Sequence, residues 1–281
     1  MRIVCAVCRY RTMKNRVVFF TDLDNTLIYS YKRELGQERI GVETYQGRTI
    51  SYMTPAAVRM LEEIREQILV VPVTTRTVEQ YERIDLGFVP EYALVCNGGV
   101  LLERGVEVIS WRDESLELVG GSEETLRHGR ECLESDENRC FPVRSVGGLF
   151  LFTKSRRPEE SAVRVQRALG DDKTEVFQNG QKVYVVPREI NKGRACERLK
   201  KKLDGLAAPG AGTSMPYYTI GAGDSAFDVP MLEAADFPIS PDGLYRPKEP
   251  GSGAVWKEKE RGGVFSEFVL EQVISYIKGI V

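Results

Sequence analysis

The chain has 281 residues, of which 42% are hydrophobic and 28% are charged. This composition is ordinary for a globular protein, and the length allows one large domain or two smaller ones. The 39 basic and 41 acidic side chains give a formal net charge of −2, whereas nucleic-acid-binding proteins usually carry a basic excess. No apolar run approaches the roughly 20 residues that span a membrane, and residues 1–15 lack the apolar segment of a secretory signal. We therefore expect a cytoplasmic protein without a nucleic-acid or membrane partner.

The cysteines and the histidine offer little metal-binding or catalytic chemistry. The cysteines follow no disulfide or zinc spacing beyond Cys5-x-x-Cys8, and no second cysteine or histidine pair completes a zinc site there. The single histidine, His128, lies in a charged, amphipathic segment, where a surface position is expected. Acid–base chemistry in this chain is therefore expected to depend on carboxylates.

The first predicted strand ends in two carboxylates. Val17–Phe20 is an apolar run long enough for a strand buried on both faces, and Asp22 and Asp24 follow it. Acidic pairs are also common in ordinary turns. However, open α/β sheets bind ligands at the carboxyl ends of their strands, and two aspartates this close repel each other unless a cation joins them. The pair therefore predicts a hard divalent metal and, with it, phosphate chemistry.

Strands and helices alternate in the next part of the chain. Residues 28–50 are polar and are expected to form a loop or a short hairpin. Thr54-Pro55 predicts the start of a helix, with threonine as the N-cap and proline at the first helical position. The further predicted elements are a strand over 68–73 that leads to Thr74-Thr75-Arg76, a helix over 77–86, and a strand over 92–96 that leads to Asn97-Gly98-Gly99. This alternation predicts a doubly wound α/β core with a parallel sheet.

Residues 111–188 have a different pattern. The predicted elements are one charged helix over 113–135, two strands within about 140–154, and a helix over 156–169. Two short strands then flank Gln178-Asn179-Gly180-Gln181, in which Asn-Gly predicts a tight hairpin turn. Antiparallel hairpins with helices on one side are typical of a small α+β domain. We therefore predict an α/β core formed by residues 1–110 and 189–281, with an α+β domain inserted over 111–188.

The core is expected to resume with a helix that begins at Asn191-Lys192-Gly193. After a Gly/Pro/Ala-rich loop over 207–216, a buried strand over 217–220 leads to Gly221-Ala222-Gly223-Asp224, and Asp228 follows. The glycine spacing is also similar to a dinucleotide-binding fingerprint, but such a fingerprint normally opens its domain. We favour the interpretation that Asp224 and Asp228 add two carboxylates to the same edge of the sheet.

Four elements in this order resemble the signature motifs of the haloacid dehalogenase-like superfamily of aspartate-nucleophile phosphohydrolases. They are Asp22-x-Asp24-x-Thr26, Thr74 or Thr75, Lys192, and Gly223-Asp224-x-x-x-Asp228, and they bracket nearly the whole chain. The α+β insert between the second and third motifs, together with Asn97-Gly98, resembles the large cap of the Cof-type and sugar-phosphatase branch. That branch includes the sucrose-phosphate and mannosyl-phosphoglycerate phosphatases.

The resemblance implies roles for the four aspartates. Asp22 would be the nucleophile that forms an aspartyl phosphate, and Asp24 would be the general acid and base. Mg²⁺ would be held by Asp22, Asp224 and the backbone carbonyl of Asp24, and Asp228 would hold the metal through a water or orient its neighbours.

The resemblance also implies how the substrate is held. Thr74 would donate a hydrogen bond to the phosphoryl group, and Lys192 would offset its negative charge. The substrate would be a small phosphorylated metabolite such as a sugar phosphate. The motif Thr74-Thr75-Arg76 departs from the usual Thr-Gly-Arg, which leaves open whether Thr74 or Thr75 binds phosphate, and Phe227 replaces an asparagine that often precedes the last aspartate.

Two other functions stay open at this point. A phosphomutase of the phosphomannomutase kind would share the nucleophile and a similar cap. A non-catalytic ligand-binding module could keep the same fold, although no essential carboxylate of the motifs is missing. The oligomeric state is not evident from the sequence.

Overall fold

The structure is a computed structural model of the chain, and it describes residues 16–36, 38–170, 173–206, 216–249, 251–258 and 264–279. The pair Cys5 and Cys8 and most of the Gly/Pro/Ala-rich loop over 207–216 lie outside the described residues. Within those residues, none of the helices combines the length and the apolar character that a membrane span needs.

Strands and helices alternate along the described chain. In chain order, the strands are β1 (Val17–Thr21), β2 (Tyr29–Ser30), β3 (Ile40–Tyr45), β4 (Arg48–Met53), β5 (Leu69–Pro72), β6 (Tyr92–Val95), β7 (Val100–Glu103), β8 (Val106–Glu107), β9 (Arg144–Val146), β10 (Phe150–Lys154), β11 (Thr174–Asn179), β12 (Lys182–Pro187), β13 (Tyr218–Ala222), β14 (Phe237–Pro241) and β15 (Ala254–Trp256). The helices are α1 (Pro55–Arg65), α2 (Val78–Tyr81), α3 (Ile109–Val119), α4 (Glu123–Glu134), α5 (Pro158–Leu169), α6 (Lys192–Leu206), α7 (Val229–Ala234) and α8 (Phe265–Ile277).

The chain divides into two compact units. One unit is formed by Met1–Glu107 and Lys192–Val281, and the other by Val108–Asn191. The first unit contains a parallel sheet with the strand order β15-β14-β13-β1-β5. This arrangement confirms the predicted α/β fold class, in which a parallel sheet forms the core.

Helices cover both faces of the parallel sheet. Consecutive residues of a strand point to opposite faces, so neighbouring apolar residues of β1 contact different helices. Phe19 of β1 belongs to the hydrophobic core that α1 and α8 supply. The next residue, Phe20, lines a small cavity with Cys196 of α6 and Met231 of α7. Apolar residues on both faces explain why this strand is a continuous apolar run rather than an alternating one.

The start of α1 confirms the capping prediction. The side chain of Thr54 accepts a hydrogen bond from the backbone N–H of Ala57 at 3.1 Å, and Pro55 occupies the first turn. Thr54 Oγ1 also donates to Glu267 of α8 at 2.6 Å, so the cap joins the two helices that share this face of the sheet.

The first unit differs from the prediction in the segment over 28–50. Instead of a loop or one short hairpin, strands β2, β4 and β3 form a three-stranded antiparallel sheet. Val42 and Met53 of this sheet are buried in the same core as Phe19. The segment contains few apolar residues, so its polar composition did not indicate strands.

The predictions over 77–96 are correct only in part. The helix predicted over 77–86 is limited to Val78–Tyr81, because the chain then turns and the N–H of Asp85 bonds to the carbonyl of Val42. The strand after it, β6, lies beside the end of β5, where Val73 and Leu94 form a bridge and the backbone N–H of Thr74 donates to the carbonyl of Leu94. Its ladder partner is the antiparallel β7.

The second unit is a four-stranded antiparallel sheet, in the order β11-β12-β10-β9, with α4 and α5 packed against it. The hairpin at Asn179-Gly180 is confirmed, and Gly180 has a positive φ of 55°. The single helix predicted over 113–135 is wrong, since Gly120–Ser122 forms a short 3-10 turn that separates α3 from α4. His128 is exposed on α4, as predicted.

Candidate active site

Neighbouring strands of the parallel sheet end at the same level, and their last residues are linked by hydrogen bonds. The N–H of Asp22, directly after β1, donates to the carbonyl of Ala222 in β13 at 2.8 Å. On the other side of β1, the N–H of Val73 donates to Thr21, also at 2.8 Å. Residues far apart in sequence therefore meet at one edge of the sheet, where α/β proteins bind ligands.

Three of the predicted carboxylates come together at this edge. Asp22, Asp224 and Asp228 each offer an oxygen, and these three oxygens lie within 4.8 Å of one another. Asp22 and Asp228 are buried, with 6% and 0% of their surface exposed, while Asp224 is half-buried. A cluster of hard oxygen ligands at this spacing is the donor set that a divalent cation such as Mg²⁺ prefers.

Lys192, the first residue of α6, supplies a positive charge to the cluster. Its side chain is only 1% exposed, and its Nζ donates to Oδ1 of Asp22 and to Oδ1 of Asp228, at 2.5 Å each. Burial alone would lower the pKa of this lysine, but the two carboxylates raise it above its usual value. Lys192 is therefore a fixed cation.

The helix that carries Lys192 lies unusually close to α7. A Cβ atom added to Gly193 would lie 2.2 Å from the backbone oxygen of Pro230. Only glycine allows this approach, which places the amino-terminal end of α6 beside the loop that holds Asp228.

The loop after β13 is organised by Asp228. Its Oδ2 accepts hydrogen bonds from the N–H of Asp224 at 3.1 Å and from the N–H and the hydroxyl of Ser225 at 2.9 and 2.8 Å. A Cβ atom on Gly223 would lie 2.3 Å from the Cβ of Asp228, so glycine is required for this close packing. The hydroxyl of Thr26 donates to Oδ1 of Asp224 at 3.3 Å and links this loop to the one after β1.

One lysine does not neutralise three aspartates. Burial raises the pKa of Asp22 well above its usual value, Lys192 lowers it, and the other aspartates raise it further. Burial and then the charge of Asp228 raise the pKa of Asp224 to about 6. This excess of negative charge is the observation that fits a bound divalent cation, since a cation would stabilise the ionised form of each carboxylate.

Thr74 is fully buried directly after the bridge residue Val73. Its backbone N–H donates to the carbonyl of Leu94, and its hydroxyl oxygen accepts from the N–H of Arg76 at 3.2 Å. Because the oxygen acts as the acceptor in this bond, the hydroxyl proton can be donated elsewhere. Thr75 is only partly buried.

The side chain of Asp24 does not join the other three carboxylates. It is 50% exposed, and Nε and Nη2 of Arg76 donate to its two oxygens at 2.8 and 2.7 Å. The contribution of its backbone carbonyl to a metal site stays a prediction. The role of Arg76 as the partner of Asp24 was missed in the sequence, although Arg76 lies within the second motif.

Solved structures with the same fold are known. The sucrose-phosphatase of Synechocystis, solved with sucrose and phosphate, aligns with a TM-score of 0.62 and 17% identity over 94% of this chain and 98% of its own. The C-terminal domain of C. albicans trehalose-6-phosphate phosphatase gives 0.58 and 15%, over 97% and 95% of the two chains. A haloacid dehalogenase-like hydrolase from B. subtilis gives 0.50 and 16%, over 94% and 99%. No family model and no curated protein matches the sequence. These alignments confirm that the chain has the haloacid dehalogenase-like fold of the sugar phosphatases.

Proposed function

We propose that this protein is a Mg²⁺-dependent phosphatase that hydrolyses a small phosphorylated metabolite through an aspartyl phosphate. The observation that carries the proposal is the cluster of Asp22, Asp224 and Asp228 around the buried Lys192, at the carboxyl ends of parallel strands. The similarity to the sucrose-phosphatase and the trehalose-6-phosphate phosphatase supports sugar phosphates as the first substrates to test. We also propose that the unit over Val108–Asn191 is the cap domain.

Asp22 is proposed as the nucleophile. Lys192 binds its Oδ1, so Oδ2 would attack phosphorus while the bond between phosphorus and the ester oxygen breaks. Asp24 would give its proton to the departing alcohol oxygen and would later accept a proton from the water that hydrolyses the aspartyl phosphate.

The charges of the site support transfer of a dianionic group. Mg²⁺ would be held by Asp22, Asp224 and Asp228, and when bound it supplies positive charge that offsets the repulsion between the aspartates and the phosphoryl group. Lys192 provides a second, permanent positive charge, and the hydroxyl of Thr74 can donate to a phosphoryl oxygen.

A phosphate-release assay tests the proposal. The purified chain with Mg²⁺ is offered sugar phosphates, nucleotides and phosphorylated cofactors, and Asp22→Asn is the matched control because it keeps the size of the side chain. We expect Mg²⁺-dependent release of inorganic phosphate that falls by at least about 10⁴-fold in Asp22→Asn, with an unchanged circular-dichroism spectrum.

Three results would reject the phosphatase proposal. Conversion of a hexose phosphate to its isomer without release of inorganic phosphate would identify a phosphomutase. Absence of any turnover across the panel, or full activity of Asp22→Asn, would show that this cluster does not catalyse hydrolysis.

A further inference from the structure

Glu43 is a buried carboxylate outside the aspartate cluster. It lies on β3 with 2% of its surface exposed, and its Oε2 accepts a hydrogen bond from the hydroxyl of Ser51 at 2.6 Å. Two guanidinium groups face its Oε1, with Nη1 of Arg76 at 2.9 Å and Nε of Arg83 at 3.4 Å. A buried charge is costly unless it is paired, and here the pairing partners are two arginines.

Arg76 connects this buried glutamate to Asp24. Its Nε and Nη2 donate to both carboxylate oxygens of Asp24, while its Nη1 lies beside Glu43 and also donates to the carbonyl of Gln80 at 3.4 Å. All three nitrogens of the guanidinium are therefore engaged, and the side chain of Arg76 is only 13% exposed. The contacts with Glu43 and Gln80 fix the guanidinium plane on its interior side. The carboxylate of Asp24, which the guanidinium binds on its other side, is half exposed to solvent.

We propose that Glu43 and Arg76 are positioning residues for proton transfer by Asp24. Glu43 orients the guanidinium of Arg76, and the two parallel hydrogen bonds from that guanidinium orient the carboxylate of Asp24. This inference rests on the proposed function, in which Asp24 exchanges protons with the leaving group and with water.

The geometry is compatible with proton transfer. A carboxylate has about four lone-pair sites, and the fork of Arg76 takes two of them, so the others can carry the proton that is transferred. A lysine at position 76 would keep the positive charge but would lose the planar fork that fixes the orientation. Because Glu43 and Ser51 lie on β3 and β4, this hairpin takes part in aligning the acid.

Two substrates with different leaving groups distinguish a positioning role of Arg76 and Glu43 from a role in the stability of the fold. The value of kcat/KM reports on the steps up to departure of the leaving group. The leaving group of an aryl phosphate needs little proton donation, whereas the alkoxide oxygen of a sugar phosphate needs a proton. We expect Arg76→Lys and Glu43→Gln to lower kcat/KM for the best sugar phosphate at least about tenfold more than for p-nitrophenyl phosphate. Asp24→Asn should show the same selectivity to a larger extent.

A double-mutant cycle tests whether Arg76 acts through Asp24. In the Asp24→Asn background, Arg76→Lys should cause no additional selective loss, because the group that it positions is already absent. Asp136→Asn is the matched control, since Asp136 is a buried carboxylate, 4% exposed and paired with Arg164 in the other unit. It should lower the melting temperature without changing the ratio of the two kcat/KM values.

The outcomes distinguish this inference from the proposed function. Equal losses for both substrates, or selectivity that persists in the Asp24→Asn background, would overturn the positioning role while the phosphatase assignment stands. A wild-type protein that hydrolyses neither phosphate rejects both. If Glu43→Gln does not fold, Arg76→Lys alone decides the result, because Glu43 keeps a guanidinium partner in Arg83.

Discussion

Asp224→Asn should make the metal-free protein more stable while it removes the response to Mg²⁺. Burial and the charge of Asp228 raise the pKa of Asp224 from 3.8 to about 6, so the ionised carboxylate destabilises the folded state. A carboxyl group whose pKa is higher in the folded than in the unfolded state destabilises the fold only when it is ionised. The loss of stability is therefore absent below pH 3.8 and fully present above about pH 6. The difference between the two pKa values corresponds to about 3 kcal/mol, an upper value because the side chain is partly exposed.

Asparagine keeps the shape of the side chain and the acceptor for the hydroxyl of Thr26, so the charge is the main change. A gain of this size would raise the melting temperature by up to about 6–12 °C at neutral pH. Thermal unfolding is measured with EDTA and with excess Mg²⁺, at neutral pH and at a pH below 6. Asp242→Asn, at an exposed aspartate of the same unit, is the control and should behave as wild type in both media.

The wild-type protein should gain stability from Mg²⁺ at neutral pH, and this gain should shrink as the pH is lowered through 6, because protons compete with the metal. The metal-free difference between Asp224→Asn and wild type should shrink over the same pH range. The reasoning is refuted if Asp224→Asn is less stable than wild type without metal, or if Mg²⁺ stabilises both proteins equally.

Two further predictions concern the residues around the cluster. Thr74→Val should lower kcat by about 100-fold because it removes a hydrogen-bond donor to the phosphoryl group. Thr75→Val should leave kcat near the wild-type value. If steady-state kinetics show the larger loss for Thr75→Val, phosphate binding is assigned to Thr75. Gly223→Ala should destabilise the protein by about 1–3 kcal/mol and weaken the thermal shift with Mg²⁺, since its Cβ would lie 2.3 Å from the Cβ of Asp228. Gly205→Ala, where a Cβ meets nothing within 4 Å, is the control, and equal behaviour of the two alanine variants would contradict the packing explanation.

The features that local patterns encode were predictable from the sequence. The apolar run before Asp22 and the strand before Asp224 predicted two carboxylate sites at one edge of a parallel sheet, and the structure brings these aspartates together although 201 residues separate them. Thr54-Pro55 and Asn179-Gly180 predicted a helix start and a hairpin because capping and turn formation depend on a few adjacent residues.

The features that depend on distant partners were not predictable. Glu43 lies in a polar segment that gives no sign of burial, and its environment is created by Arg76 and Arg83, which come from a later part of the chain. The short length of α2 has the same cause. The sequence alone would allow a longer helix, but the chain turns and the backbone N–H of Asp85 donates a hydrogen bond to the carbonyl of Val42. Tertiary contacts therefore decided both the extra sheet and the partner of Asp24.

The close contact between Gly193 and Pro230 has a consequence for any redesign of this protein. Asparagine in place of Asp22 or Asp224 keeps the size of the side chain, so these two changes preserve the packing of the site. A methyl group at position 193 would push two helices apart and displace Lys192 from the aspartates that it bridges. A library that randomises position 193 should therefore return glycine alone.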